Sequence, residues 1–158
     1  MESSQNKCLT LLGIFESQEK IFDKIILEIK RISPKSPEET AYLGYLLHNL
    51  YCGLEEVFKY TASTFENNID DPTKYHIELL NRMNINVPDI RPALVDEKAY
   101  KLLDTLRGFR HIFRHSYQRD LRGDLIQIIK NDVIKSWPAV VSDIKLFKKF
   151  LSKSKVKK

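Results

Sequence analysis

The sequence predicts an all-α protein: a compact bundle of about five helices, in which a long antiparallel hairpin precedes a motif-bearing helix. Three observations predict it. Apolar residues recur at three- and four-residue spacing over most of the chain. Alternating β-branched runs between turn residues are lacking. Prolines and capping residues punctuate the pattern at helical lengths. With 158 residues, 42% hydrophobic and 30% charged, the chain has an ordinary globular balance and a one-domain length. Residues 1–152 are expected to form one helical domain and 153–158 a disordered Lys-rich tail.

Helix 1 is predicted over about residues 10–32, on the stripe Leu11, Ile14, Phe15, Phe22, Ile25, Ile26 and Ile29. Pro34 ends it, because proline disfavours helical geometry in its predecessor. Helix 2 starts with Ser36 as cap, Pro37 in the first helical position and Glu39 completing a capping box. Its stripe, Leu43, Leu46, Leu47, Leu50, Leu54, Val57 and Phe58, runs on to about residue 66. Asp71 and Pro72 open a short helix 3, ending near Asn84. Pro88 and Pro92 make the following segment a loop. Asp96 caps helix 4, with Ala99, Leu102, Leu103, Leu106, Phe109 and Phe113 facing the core. Helix 5 starts near Asp124 on the stripe Leu125, Ile128, Ile129, Val133, Trp137, Val140, Val141, Ile144, Phe147 and Leu151. Pro138 is expected to kink or split it.

No run of about 18 uncharged apolar residues is present to span a membrane. The opening MESSQNKCLT has an acid and too short an apolar run for a signal peptide, so a cytoplasmic location is expected. The net charge is +5. It is not spread evenly. Residues 145–158 hold seven lysines and no acid, while the other 144 residues hold 19 basic and 21 acidic side chains. Within those, residues 107–122 carry five arginines against Asp120. The basicity is two local features on a slightly acidic body.

The five glycines fall in no GxGxxG, Walker or GxSxG pattern, which removes the common nucleotide-binding and serine-hydrolase readings. The two cysteines do not suggest a disulfide in a chain without a secretory leader. Cys52 is expected as a small buried side chain and Cys8 in a frayed N-terminal segment. His111 and His115 are four apart, but no CxxC or zincin glutamate accompanies them, and no metal or cofactor is implied.

Residues 107–119, RGFRHIFRHSYQR, are unlike the rest of the chain. Arginine binds phosphate through a fixed fork, and histidine gives or takes a proton near neutrality. Those are the two parts that metal-free phosphodiester cleavage requires, and the nucleophile would be the 2′-hydroxyl of RNA. Arg110 and His115 stand about 140° apart on an ideal helix. For them to converge, either the helix loosens near His115 or two copies of the segment meet across a dimer interface. A solvated basic helix end is the competing account.

Arg110, His115 and Tyr117 match the pattern Arg-x4-His-x-Tyr, with the polar His111 after the arginine. The segment resembles the HEPN family, and its HepT-like toxin branch in particular. The resemblance implies a ribonuclease toxin of a prokaryotic toxin–antitoxin system, acting as a homodimer with a shared cleft. Its implied partner is a minimal nucleotidyltransferase (MNT) antitoxin that adds AMP to the motif tyrosine. By that resemblance Arg110 is the phosphate ligand, His115 the general acid or base and Tyr117 the modified residue, with His111 in support. Arg107 and Arg114 are added as backbone-phosphate contacts on charge and proximity. The alternative function is a non-catalytic HEPN module that binds a nucleotide or partner.

Overall fold

The computed structural model describes residues 3–66, 75–116 and 120–153. Among them, five helices follow in order: α1 (Ser4–Arg31), α2 (Pro37–Phe65), α3 (Tyr75–Met83), α4 (Glu97–Arg114) and α5 (Gly123–Lys153). The only extended pairing among the described residues is an isolated bridge between Val87 and Arg91. The fold is all-helical, as expected.

Helix α1 starts six residues earlier than its stripe suggests. Ser3 caps it, its side chain accepting from Asn6 N–H at 3.2 Å. One extra turn buries Cys8, so this cysteine is core and not part of a frayed end. Helix α2 begins as expected: Ser36 Oγ accepts from Glu39 N–H at 3.1 Å and Pro37 takes the first position. The two helices run antiparallel. Tyr42 Oη donates to Glu28 Oε2 near the turn, and further along Gly53 faces Phe22. A Cβ on Gly53 would lie 2.8 Å from Phe22 Cε1, so glycine permits this close approach.

Helix α2 is central and packs against all four others. Its stripe is fully buried from Leu43 to Phe58. Helix α5 crosses Pro138 as one continuous helix rather than splitting. Its buried face runs through Ile126, Ile129, Val133 and Trp137, whereas Ile128 and Val141, expected in the core, are exposed. The chosen face follows α1: Phe22 meets Trp137 edge-on, and Phe15 lies against Phe147 at 5.6 Å between ring centres. Buried Lys130 donates to the Ile32 carbonyl at 2.5 Å and to Lys30 O at 3.4 Å, satisfying carbonyls that α1 leaves open at its end.

The link from α3 to α4 is held by one buried arginine. Arg91 is ion-paired with Glu66 at the end of α2. It also donates to the carbonyls of Arg82, Ile85 and Pro92 at 2.9–3.1 Å. The tight turn beneath it puts Asp89 at φ 63°. Arg91 thus ties the last turn of α3 to α2. No helix among the described residues is long and apolar enough to cross a membrane.

Candidate active site

Helix α4 presents the arginine-rich segment. Asp96 caps it, accepting from Ala99 N–H at 2.8 Å. Ala99, Leu102, Leu103, Leu106 and Phe109 bury one face. Arg107, Arg110, His111 and Arg114 recur at the i, i+3, i+4, i+7 spacing that places them on one other face. The helix ends at Arg114, and His115 is its C-cap with φ −103° and ψ 10°. The His115 N–H points back to the carbonyls of His111 and Ile112, both at 3.3 Å. The His115 ring lies 4.4 Å from that of His111, between centroids.

A depression of about 500 Å³ collects these side chains. It is lined by Arg107, Arg110, His111, Arg114 and His115 from the end of α4, with His76 and Ile77 from α3 opposite. Every described residue among the expected site residues is therefore brought to one place, within one chain. Arg110 and His115 both line the depression. Tyr117 lies outside the described residues. Asn49 is half-buried on α2 and does not line the depression.

The arginines are not equally available. Arg107 is held by Asp104, one turn earlier, through Nε at 3.0 Å and Nη2 at 2.7 Å. Arg110 Nη1 meets His76 Nε2 at 3.2 Å. His76 Nδ1 in turn meets both carboxylate oxygens of Glu55 at 2.9 Å. Guanidinium has donors only, so His76 Nε2 must accept and its proton must sit on Nδ1, facing Glu55. Arg110 Nε is buried with no hydrogen-bond partner among the described residues.

Behind this face, His48 of α2 stacks on Phe113 at 4.5 Å. Burial holds the His48 imidazole below its usual range, and the positive charges of Arg110 and Arg114 lower it further. Its Nε2 is 3.5 Å from Cys52 Sγ. Cys52 is half-buried, not core as its apolar surroundings suggest, because α2 turns it towards His48. The Tyr51 hydroxyl is buried with no hydrogen-bond partner among the described residues, and burial pushes its phenol well up.

Sequence reasoning missed Glu55 and His76. Glu55 interrupts the apolar stripe of α2, and Lys59 four residues on is its apparent partner. The structure gives Lys59 to Glu56 instead, at 3.0 Å, leaving Glu55 buried and facing α3. A carboxylate on a core stripe was the available signal. Among the described residues, no group of three or more His, Cys, Asp or Glu converges as metal ligands would. The depression presents guanidinium and imidazole.

The family model described as HepT-like protein matches residues 42–151, which run from the first turns of α2 to the end of α5. No curated protein and no solved structure matches the chain. The family match covers more than two-thirds of the sequence and includes the whole depression. On this match and the all-helical bundle, the chain belongs to the HepT-like protein family, a branch of HEPN-domain proteins.

Proposed function

We propose that the chain is a metal-independent endoribonuclease, the toxin of a prokaryotic toxin–antitoxin system. The observation that carries this reading is that Arg110 and His115 line one depression of about 500 Å³. In the proposed reaction a base removes the proton of an RNA 2′-hydroxyl, whose oxygen attacks the adjacent phosphorus. The 5′-oxygen leaves and takes up a proton. The products are a 2′,3′-cyclic phosphate and a 5′-hydroxyl. His115 serves one of the two proton transfers. Arg110 offers its fork to the non-bridging oxygens as charge builds on them. His111, Arg114 and Arg107 hold the neighbouring backbone phosphates. Arg107 contributes least, because its fork already holds Asp104.

The regulatory part of the reading follows the family. An MNT nucleotidyltransferase transfers AMP from ATP to the Tyr117 oxygen, releasing pyrophosphate. Tyr117 stands two residues past His115, so the added phosphate places negative charge and bulk beside the cluster and blocks RNA. Two copies of the chain form a homodimer whose two motifs line one shared cleft.

The test is incubation of the purified chain with RNA in EDTA. Expected are fragments ending in 2′,3′-cyclic phosphate. Intact RNA, with a nucleotide or partner protein still bound, would instead support a non-catalytic binding module. Co-expression with a nucleotidyltransferase should add the mass of AMP to Tyr117 and abolish cleavage.

A further inference from the structure

The ribonuclease reading assigns work to groups at the end of α4. Glu55 and His76 lie outside that assignment, and with Arg110 they form a chain that spans three helices. Glu55 comes from α2, His76 from the first turn of α3 and Arg110 from the last turns of α4. Glu55 is buried, at 4% exposure, and the His76 side chain is 36% exposed on the wall of the depression. Among the described residues, Arg110's guanidinium has one hydrogen bond, to His76 Nε2 at 3.2 Å, while its buried Nε has none. An arginine with four rotatable bonds and a single hydrogen bond is oriented by that bond.

We propose that Glu55 and His76 form a positioning relay for Arg110: the buried carboxylate fixes the imidazole as its Nδ1–H tautomer, and the imidazole's Nε2 aims the guanidinium into the cleft. The proposal rests on the ribonuclease reading for its consequence and on geometry for its existence. The carboxylate accepts through both oxygens at 2.9 Å, so the Nδ1–H is held from two sides. Nε2 is then left with a lone pair, the one feature that can hold a guanidinium N–H. Arg107, Arg114, His111 and His115 line the depression with His76. Tyr75 packs beside His76 edge-on, with Lys59 above its ring. Lys59 is drawn to Glu56 and leaves Glu55 to His76. The relay touches substrate through Arg110, so Glu55 and His76 are positioning residues and not catalytic ones.

Its test uses the full chain and two readouts. The first is nitrogen NMR on the wild type, where His76 should carry its proton on Nδ1 and the Arg110 Nε–H should exchange slowly with solvent. His76→Ala should speed that exchange by about tenfold or more, whereas His76→Gln, whose amide oxygen can replace Nε2 as acceptor, should restore it. The second readout is RNA cleavage. His76→Ala and Glu55→Gln should lower kcat by about tenfold or more and change KM by less than about threefold, because a misaimed fork is missed chiefly in the transition state. His76→Gln should recover kcat to within about threefold of wild type. A proton on Nε2, equal Arg110 exchange in all three proteins, or unchanged kcat in His76→Ala would each overturn the relay. If the wild type cleaves no RNA, the ribonuclease reading fails, and the exchange measurements alone decide the relay.

Discussion

Arg110 and His115 are five residues apart, yet both line the same depression at the C-terminal end of α4, where His115 is the C-cap. On a regular helix the two positions differ by about 140°, and the His115 N–H still reaches the His111 carbonyl four residues back at 3.3 Å. The end of α4 is therefore part of the depression.

The end of α3 depends on Arg91, whose guanidinium is completely buried against Glu66 and three backbone carbonyls. Removing it leaves the Glu66 carboxylate with the longer contact to Arg82 Nη1 at 3.7 Å and takes the donor from the carbonyls of Arg82, Ile85 and Pro92. Arg91→Ala should lose about 3–5 kcal/mol in urea unfolding, the range for breaking a buried charge pair. Because Arg91 ties α3 to α2, the same variant should disturb the NMR signals of His76. Stability within about 1 kcal/mol of wild type would show that the loop is held some other way.

His48 makes stability depend on pH on the acid side. Its imidazole is held low by burial in the fold, so the unfolded chain takes up a proton that the folded chain resists. Stability should therefore fall as pH drops below the ordinary imidazole range. His48→Phe keeps a ring against Phe113 and cannot be protonated. Urea midpoints at pH 5 and 7.5 should lie closer together in this variant than in the wild type.

Asp143 works in the opposite sense. Burial pushes its carboxyl up to about 6, helped by the nearby Asp96 carboxylate, while the Asp96 N–H donates to Asp143 Oδ2 at 2.9 Å. The folded state then binds the proton more tightly than the unfolded state, and stability is lost as pH rises from about 4 through about 6. Asp143→Asn keeps the acceptor and removes the charge. It should stabilise the protein by about 1 kcal/mol above pH 6, after discounting for solvent screening, and by nothing below pH 4. A loss of stability at pH 7.5 would contradict this.

The two basic segments are separated by the fold. Lys145, Lys148, Lys149 and Lys153 occupy the last turns of α5, whose first residue, Gly123, follows the motif segment. A helix of 31 residues is roughly 45 Å long. The lysine end is thus far from Arg110 and several Debye lengths away at physiological salt. Deleting residues 154–158 should change RNA cleavage by less than about threefold at 0.15 M salt. A loss on the scale of an Arg110 variant would mean that the tail reaches the cleft.

How far these features could be read from the chain alone depends on the separation of the residues involved. The helices were legible because burial imposes a periodic stripe, as in Leu43 to Phe58 on α2. The start of α1 was missed because its first turns are polar, with only Cys8 buried, although Ser3 stood ready as a cap. On α5 the period was right and the face partly wrong: Ile126 and Ile128 are equally apolar, and only packing against α1 chooses between them. Arg110 and His115 were legible as a local motif. Glu55 and His76 were not, since they stand 21 positions apart and His76 stands a further 34 from Arg110. Nothing periodic links such positions until α3 docks on α2 and α4.

The most direct measurement of the central claim is single-turnover cleavage of RNA in EDTA by wild type, Arg110→Ala and His115→Ala, with thermal melting of all three. The predicted result is a rate loss of about 10²-fold or more in each variant, with melting temperatures within a few degrees of wild type. Cleavage at the wild-type rate by both folded variants would contradict it.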